Sequence, residues 1–145
     1  MPAVEYACSR VMGLPLLAVD PALPSVLVVE EHDEMRCALR DWLLTSFPPL
    51  RLREARTMEE ALMLAGQAPL DLILVNLELP GTNGIETARA LRLRHPACRV
   101  VVMSVNDSVA LRIAALEAGA EAFLSKRDLR IALHPIVTTL MKQQA

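Results

Sequence analysis

The chain has 145 residues, 53% of them hydrophobic and 22% charged, so it can bury a core and is not a disordered polymer. Fifteen Lys and Arg against 17 Asp and Glu give a formal charge of −2, which provides no overall basic field for nucleic acid or for an anionic membrane. No apolar run approaches the roughly 18 residues that a membrane-spanning helix needs. Three widely spaced cysteines without a CxxC pair predict reduced thiols and a cytoplasmic protein.

Two regions differ in pattern. Residues 1–24 carry four prolines and no sustained periodicity, which predicts a flexible tail. From residue 25 onward the patterns of strands and helices follow one another regularly. We therefore predict one domain, at 25–145.

Within that domain, short strand patterns at 26–29, 50–55, 70–75, 99–103 and 121–124 alternate with helix patterns. The helices are predicted at 33–47, from 57, at 83–95, at 107–118 and at 129–140, from apolar residues at helical spacing and from their capping and breaking residues. Pro135 must either kink the last helix or start it afresh. This alternation predicts an α/β fold, a parallel sheet covered by helices on both faces.

Polar residues follow four of the predicted strands. They are Glu30 and Glu31, Asn76, Ser104, and Lys126. Each has a plain interpretation, since acids favour helix starts, a serine caps turns and a lysine after a strand is usually solvated. Because the carboxyl ends of parallel strands share one edge of the sheet, we expect these residues to form a common rim, where open α/β sheets hold their ligands.

The joint pattern resembles the CheY-like receiver domain of bacterial two-component response regulators, over about residues 25–142. The resemblance is carried by VLVVEEHDEMR (26–36), by LPGTNG (79–84), by RVVVMSVND (99–107) and by AGAEAFLSK (118–126). It implies a flavodoxin-like, three-layer sandwich whose five parallel strands have the order 2-1-3-4-5.

The resemblance also implies a role for six residues. These are Asn76 at the phosphoacceptor position, Glu30 and Glu31 as the acidic pocket, Ser104 and Phe123 as the switch pair, and Lys126 as the lysine that contacts the phosphate.

The phosphoacceptor position departs from the pattern of active receivers, which carry an aspartate there. The amide of Asn76 is neutral and a poor nucleophile, so we expect no phosphorylation. Mg²⁺ prefers octahedral geometry with ligand oxygens at about 2.1 Å. Glu30 and Glu31 have longer side chains than the acidic pair that is usual in the family, so they are weak candidates for ligands of this ion. We therefore expect no cofactor and weak or absent Mg²⁺ binding, with Lys126 free to pair with Glu30 or Glu31.

The predicted function is that of a stand-alone pseudo-receiver, a phosphorylation-independent binding module of a two-component phosphorelay and not an enzyme. Roughly twenty residues follow Lys126, enough for the last helix, so no output domain is expected. In the family, partners dock on the fourth helix, the fifth strand and the fifth helix, here near 109–117, Phe123 and 129–140. We expect a kinase or an output protein there and no nucleic acid or membrane; a homodimer stays open.

Three other interpretations remain open. The chain could be a conventional receiver with an engineered Asp-to-Asn change at Asn76, although Glu30 and Glu31 argue against this. A flavodoxin-type cofactor carrier would need a Ser/Thr/Gly-rich phosphate cradle where EEHDE stands. A DNA-binding protein would need a basic face, for which the only candidates are Arg89, Arg92, Arg94 and Arg99, more simply read as a solvated helix face.

Overall fold

The computed structural model of the chain describes residues 5–7 and 22–144. Its strands are β1 (Glu5–Ala7), β2 (Ser25–Val29), β3 (Arg51–Ala55), β4 (Leu72–Asn76), β5 (Glu78–Leu79), β6 (Thr82–Asn83), β7 (Arg99–Ser104) and β8 (Ala122–Ser125). Its helices are α1 (Asp33–Ser46), α2 (Met58–Gln67), α3 (Gly84–Arg94), α4 (Val109–Glu117) and α5 (Leu129–Gln144), with a 3-10 turn at Lys126–Asp128.

The main sheet has the strand order β1-β3-β2-β4-β7-β8. Its last five strands are mutually parallel, and numbered among themselves they have the predicted order 2-1-3-4-5, which confirms the flavodoxin-like fold. β1 was not predicted, and it adds an antiparallel edge strand beside β3. It lies within the region predicted as a flexible tail, most of which falls outside the described residues.

The central strands are buried on both faces, which is why they appear in the sequence as continuous apolar runs. Along β2, Leu27 and Val29 pack in the core cluster that contains α2, α3 and α4. Val26 and Val28 pack in the second cluster, with α1 and α5. The period of two residues along one strand thus places the sheet between two helical layers.

Two boundaries matter for the polar edge of the sheet. β4 extends one residue further than predicted and ends at Asn76, which lies opposite Met103. β7 likewise ends at Ser104, opposite Ser125 of β8. The strand ladder therefore fixes the backbone of both polar residues.

α5 is one continuous helix with Pro135 inside it, so the last helix does not begin afresh at that residue. Its inner face packs in the core through Leu129, Leu133 and Val137. Within the described residues, none of the helices combines the length and the apolar character needed to cross a membrane.

The loop between β4 and α3 approaches the strand end closely at Gly84. The Gly84 amide donates to the carbonyl oxygen of Leu77 at 2.6 Å. A Cβ added at Gly84 would lie 2.7 Å from the Cα of Leu77 and would also collide with the carbonyl oxygen of Asn76. Only glycine fits this position without moving the strand end.

We therefore expect Gly84→Ala to lower the free energy of unfolding by about 2 kcal/mol, the typical cost of overpacking. Gly66→Ala is the matched control, because a Cβ on that helical glycine would contact nothing within 4 Å. The control should be neutral or stabilising by up to about 1 kcal/mol. Urea denaturation of both variants measures the difference, and equal stabilities would contradict the close approach.

Candidate functional site

The ends of four strands bring Glu30, Asn76, Ser104 and Lys126 to one rim, as the sequence predicts. Glu30 directly follows β2, Asn76 and Ser104 are the last residues of β4 and β7, and Lys126 directly follows β8. The first three are almost completely buried, at 0%, 1% and 0% relative exposure. Polar side chains buried to this extent need hydrogen-bond partners.

Glu30 is the centre of the rim, and both of its carboxylate oxygens are engaged. Oε1 lies 2.7 Å from Nζ of Lys126. Oε2 accepts hydrogen bonds from Nδ2 of Asn76 at 2.9 Å and from the backbone amide of His32 at 3.1 Å. One ammonium group and two N–H donors thus balance a carboxylate that has no access to solvent.

Glu31 does not join this arrangement. Its side chain is exposed, and its hydrogen bond in the structure runs from Arg36 Nη1 to the Glu31 backbone carbonyl at 3.5 Å. The structure therefore places one member of the predicted acidic pocket inside the site and the other outside it. Of the two partners predicted for Lys126, Glu30 is the one it contacts.

Asn76 is held by its amide nitrogen. Nδ2 donates to Oε2 of Glu30 at 2.9 Å and to the backbone carbonyl of Glu78 at 2.7 Å. Both partners are acceptors, so the hydrogen-bond pattern fixes the orientation of the amide. The opposite atom, Oδ1, is buried and has no hydrogen-bond partner among the described residues. An aspartate in this pose would set an acceptor against two acceptors, so the surroundings suit an amide.

Glu78 is a site residue that the sequence interpretation missed. Its Oε2 accepts a hydrogen bond from Oγ of Ser104 at 2.9 Å, and its carbonyl binds Asn76. The sequence did offer a signal for Glu78, because polar and apolar residues alternate in NLEL (76–79) and both leucines, Leu77 and Leu79, are buried. Asn76 and Glu78 are two residues apart, and the side chains of both make hydrogen bonds at the rim.

Phe123 does not reach the rim. Its ring is buried in the core, at 2% exposure, under the guanidinium of Arg112, which lies 5.2 Å from the ring centroid. Arg112 also donates to the carbonyl of Phe123 at 2.9 Å and to the carboxylate of Asp107 at 2.8 Å. The predicted switch pair therefore consists of a rim hydroxyl and a core ring on adjacent strands.

The residues of the rim do not fit Mg²⁺, the ion that the resemblance implies. The carboxylate oxygens of Glu30 are already engaged, Glu31 is exposed to solvent, and Asn76 offers a neutral oxygen. Lys126 holds a positive charge 2.7 Å from the buried carboxylate of Glu30. In the described part of the chain, no group of three or more His, Cys, Asp or Glu side chains is placed to hold a metal ion.

Three of the four arginines considered as a basic face have intramolecular partners. Arg89 forms an ion pair with Glu86 at 2.7 Å, and Arg92 donates to two backbone carbonyls of the loop before β7, at 2.6 and 2.8 Å. Arg99 lies 3.6 Å from Glu121. These contacts favour the plain interpretation of a solvated helix face.

Comparison with known proteins agrees with the fold. The family model described as the response regulator receiver domain matches residues 26–137. The chain is 39% identical over 101 residues to the transcriptional activator protein ExaE of Pseudomonas putida, which covers 70% of this chain and 47% of that protein. The chain spans about half the length of the curated relatives it matches.

Two solved structures share the fold. A LuxR-family two-component response regulator from Aurantimonas is 27% identical, with a TM-score of 0.72, covering 81% of this chain and 85% of that one. A Burkholderia pseudomallei response regulator, solved with a phosphorylated aspartic acid, a calcium ion and citrate, is 25% identical, with a TM-score of 0.69, covering 84% and 73%.

The Lys126–Glu30 pair yields a stability prediction. Lys126→Met keeps most of the apolar stem but leaves the buried carboxylate without its cation, and such removals cost about 3 kcal/mol. The matched control is Lys142→Met, on an exposed lysine of α5, which should change the free energy of unfolding by less than about 0.5 kcal/mol. If urea denaturation gave equal values for the two variants, the pair would not stabilise the fold.

Proposed function

The chain belongs to the response regulator receiver domain family, and from that membership we propose that it is a pseudo-receiver, which binds its partner without being phosphorylated. Receiver domains interact with kinases or output proteins of two-component systems. In this protein the partner would recognise a surface whose conformation is fixed by the packing of the chain and does not change by phosphorylation. A domain without a phosphorylation step is switched only by what binds to it, so the partner itself acts as the regulator.

The observation that carries the proposal is the position of the Asn76 amide between two acceptors. Its nitrogen donates to Glu30 and to the carbonyl of Glu78. This arrangement uses the hydrogen-bond donors that an aspartate lacks, and it supports an amide native to the site over an engineered substitution. An amide at this position offers no anionic oxygen to attack phosphorus.

The charge balance of the rim supports the same proposal. The positive charge of Lys126 lies against Glu30, so the buried carboxylate is neutralised from within the chain. We infer that Mg²⁺ binds weakly or not at all and that no other cofactor is needed. The site is closed by its own side chains and is not prepared for an incoming cation and phosphoryl group.

The docking surface proposed from the family lies on α4, β8 and α5. Along α4, Val109, Ile113 and Leu116 recur at helical spacing and are 74%, 51% and 46% exposed. Ile131 of α5 is 80% exposed, whereas Phe123 is buried and would act only through its packing. Exposed apolar side chains at helical spacing fit a protein partner, which we propose to be a kinase or an output protein.

A stand-alone architecture stays a prediction, because the chain spans only about half the length of the curated relatives that it matches. The cofactor-carrier alternative gains no support from the site. The segment after β2 presents a buried, neutralised carboxylate followed by the exposed Glu31, which would repel a phosphate group.

Phosphorylation provides the direct test. After incubation with acetyl phosphate and Mg²⁺, intact-mass spectrometry should show an unchanged mass, because Asn76 lacks a nucleophilic carboxylate. Asn76→Asp, treated in parallel, reports whether the missing carboxylate is the sole obstacle. A hydroxylamine-labile phosphoryl adduct on the unmodified protein would overturn the proposal.

Metal binding provides a second test. Millimolar Mg²⁺ should leave the melting temperature almost unchanged relative to NaCl of equal ionic strength, since stabilisation follows RT ln(1 + [L]/Kd) and vanishes when Kd exceeds the concentration used. Asn76→Asp should increase the response because it adds a carboxylate beside Glu30. A large Mg²⁺-specific shift in the unmodified protein would show that its rim holds the ion despite the Lys126 contact.

A further inference from the structure

We propose that Glu78 is a built-in latch. Its carboxylate holds the hydroxyl of Ser104, and through that hydroxyl it fixes the segment between β7 and α4 without any covalent modification. The consequence for partner binding rests on the proposed pseudo-receiver function. The latch itself is a property of the isolated chain and can be tested without a partner.

Glu78 is mounted rigidly. It begins the β5–β6 hairpin, where it pairs with Asn83. The hairpin is anchored on both sides of Glu78, because Leu77 and Leu79 are each only 7% exposed. Gly81, with φ of 71°, allows the chain to reverse direction within the hairpin. The side chain of Glu78 is exposed, yet its backbone has little freedom to move away from the rim.

Ser104, the last residue of β7, is the residue that the Glu78 carboxylate holds. Its hydroxyl is fully buried, and it uses both its donor and its acceptor capacity. Oγ donates to Oε2 of Glu78 at 2.9 Å and accepts from the backbone amide of Asn106 at 2.9 Å. The bond to a carboxylate is charge-assisted and therefore among the stronger side-chain hydrogen bonds. One hydroxyl thus links the β5–β6 hairpin to the segment that leads to α4.

That segment determines how the start of α4 is presented. Asn106 is tied to Ser104, and Asp107 is tied to Arg112 at 2.8 Å. Val105, which lies between Ser104 and Asn106, is 68% exposed, and Val109, the first residue of α4, is 74% exposed. The latch therefore holds two exposed apolar side chains in one place, continuous with the apolar face of α4. A partner would meet a surface that is already arranged and would not bear the cost of ordering it.

The test is amide hydrogen exchange, followed by NMR on the isolated protein. In Glu78→Ala the Asn106 amide should exchange about tenfold faster, since its acceptor hydroxyl has lost the group that orients it. Glu78→Gln, which keeps an acceptor oxygen, should restore most of the protection. Ser104→Ala should have the same local effect as Glu78→Ala, and the double variant should add little to either change.

The matched control is Glu86→Ala, which removes an exposed carboxylate that pairs with Arg89 at the surface of α3. It should leave exchange at Asn106 unchanged. The latch is overturned if Glu78→Ala leaves the protection of Asn106 intact, or if exchange rises equally across all strands. Neither result bears on phosphorylation, so a failed latch and a failed pseudo-receiver assignment give separate signatures.

Discussion

The rim of this receiver depends on one buried carboxylate. Glu30 has no exposure to solvent, and a charge in that position is tolerable only where donors surround it. Besides the backbone amide of His32, its donors come from β4, through Asn76, and from the end of β8, through Lys126. The carboxylate therefore joins elements that are 46 and 96 residues away in the chain. Removing any one donor leaves the remaining charge less well balanced.

The same constraint explains why the amide and the lysine belong together. With a neutral amide in place of an acid, the rim contains a single buried carboxylate, and one ammonium group neutralises it. A second buried acid beside Glu30 would add a charge that needs a further cation or further hydrogen-bond donors. The hydroxyl of Ser104 donates to Glu78, so Glu30, Ser104 and Lys126 find hydrogen-bond partners within the chain, and of Asn76 only Oδ1 has none among the described residues. The site is organised to hold one arrangement.

Much of the fold could be predicted because its signals are local. The β2 run of SVLVV is apolar on both faces, which occurs where helices cover both sides of a parallel sheet. Thr57 caps α2 by accepting from the Glu60 amide, as the capping pattern predicts. β1 and the β5–β6 hairpin were missed, since three- and two-residue strands carry no periodicity. Their existence depends on pairing with neighbours across the sheet or hairpin.

The sequence by itself determined the alternation of strands and helices, the strand ends that meet at the rim, and the presence of an amide at position 76. The tertiary structure decided the pairings. Lys126 contacts Glu30 and not Glu31, because the side chain of Glu30 is buried at the end of the sheet while Glu31 is exposed to solvent. Glu78 became a partner of Ser104 only when the hairpin brought together residues 26 positions apart. Local sequence patterns indicate which residues are buried, whereas the partner of each side chain depends on distances that exist only in the folded chain.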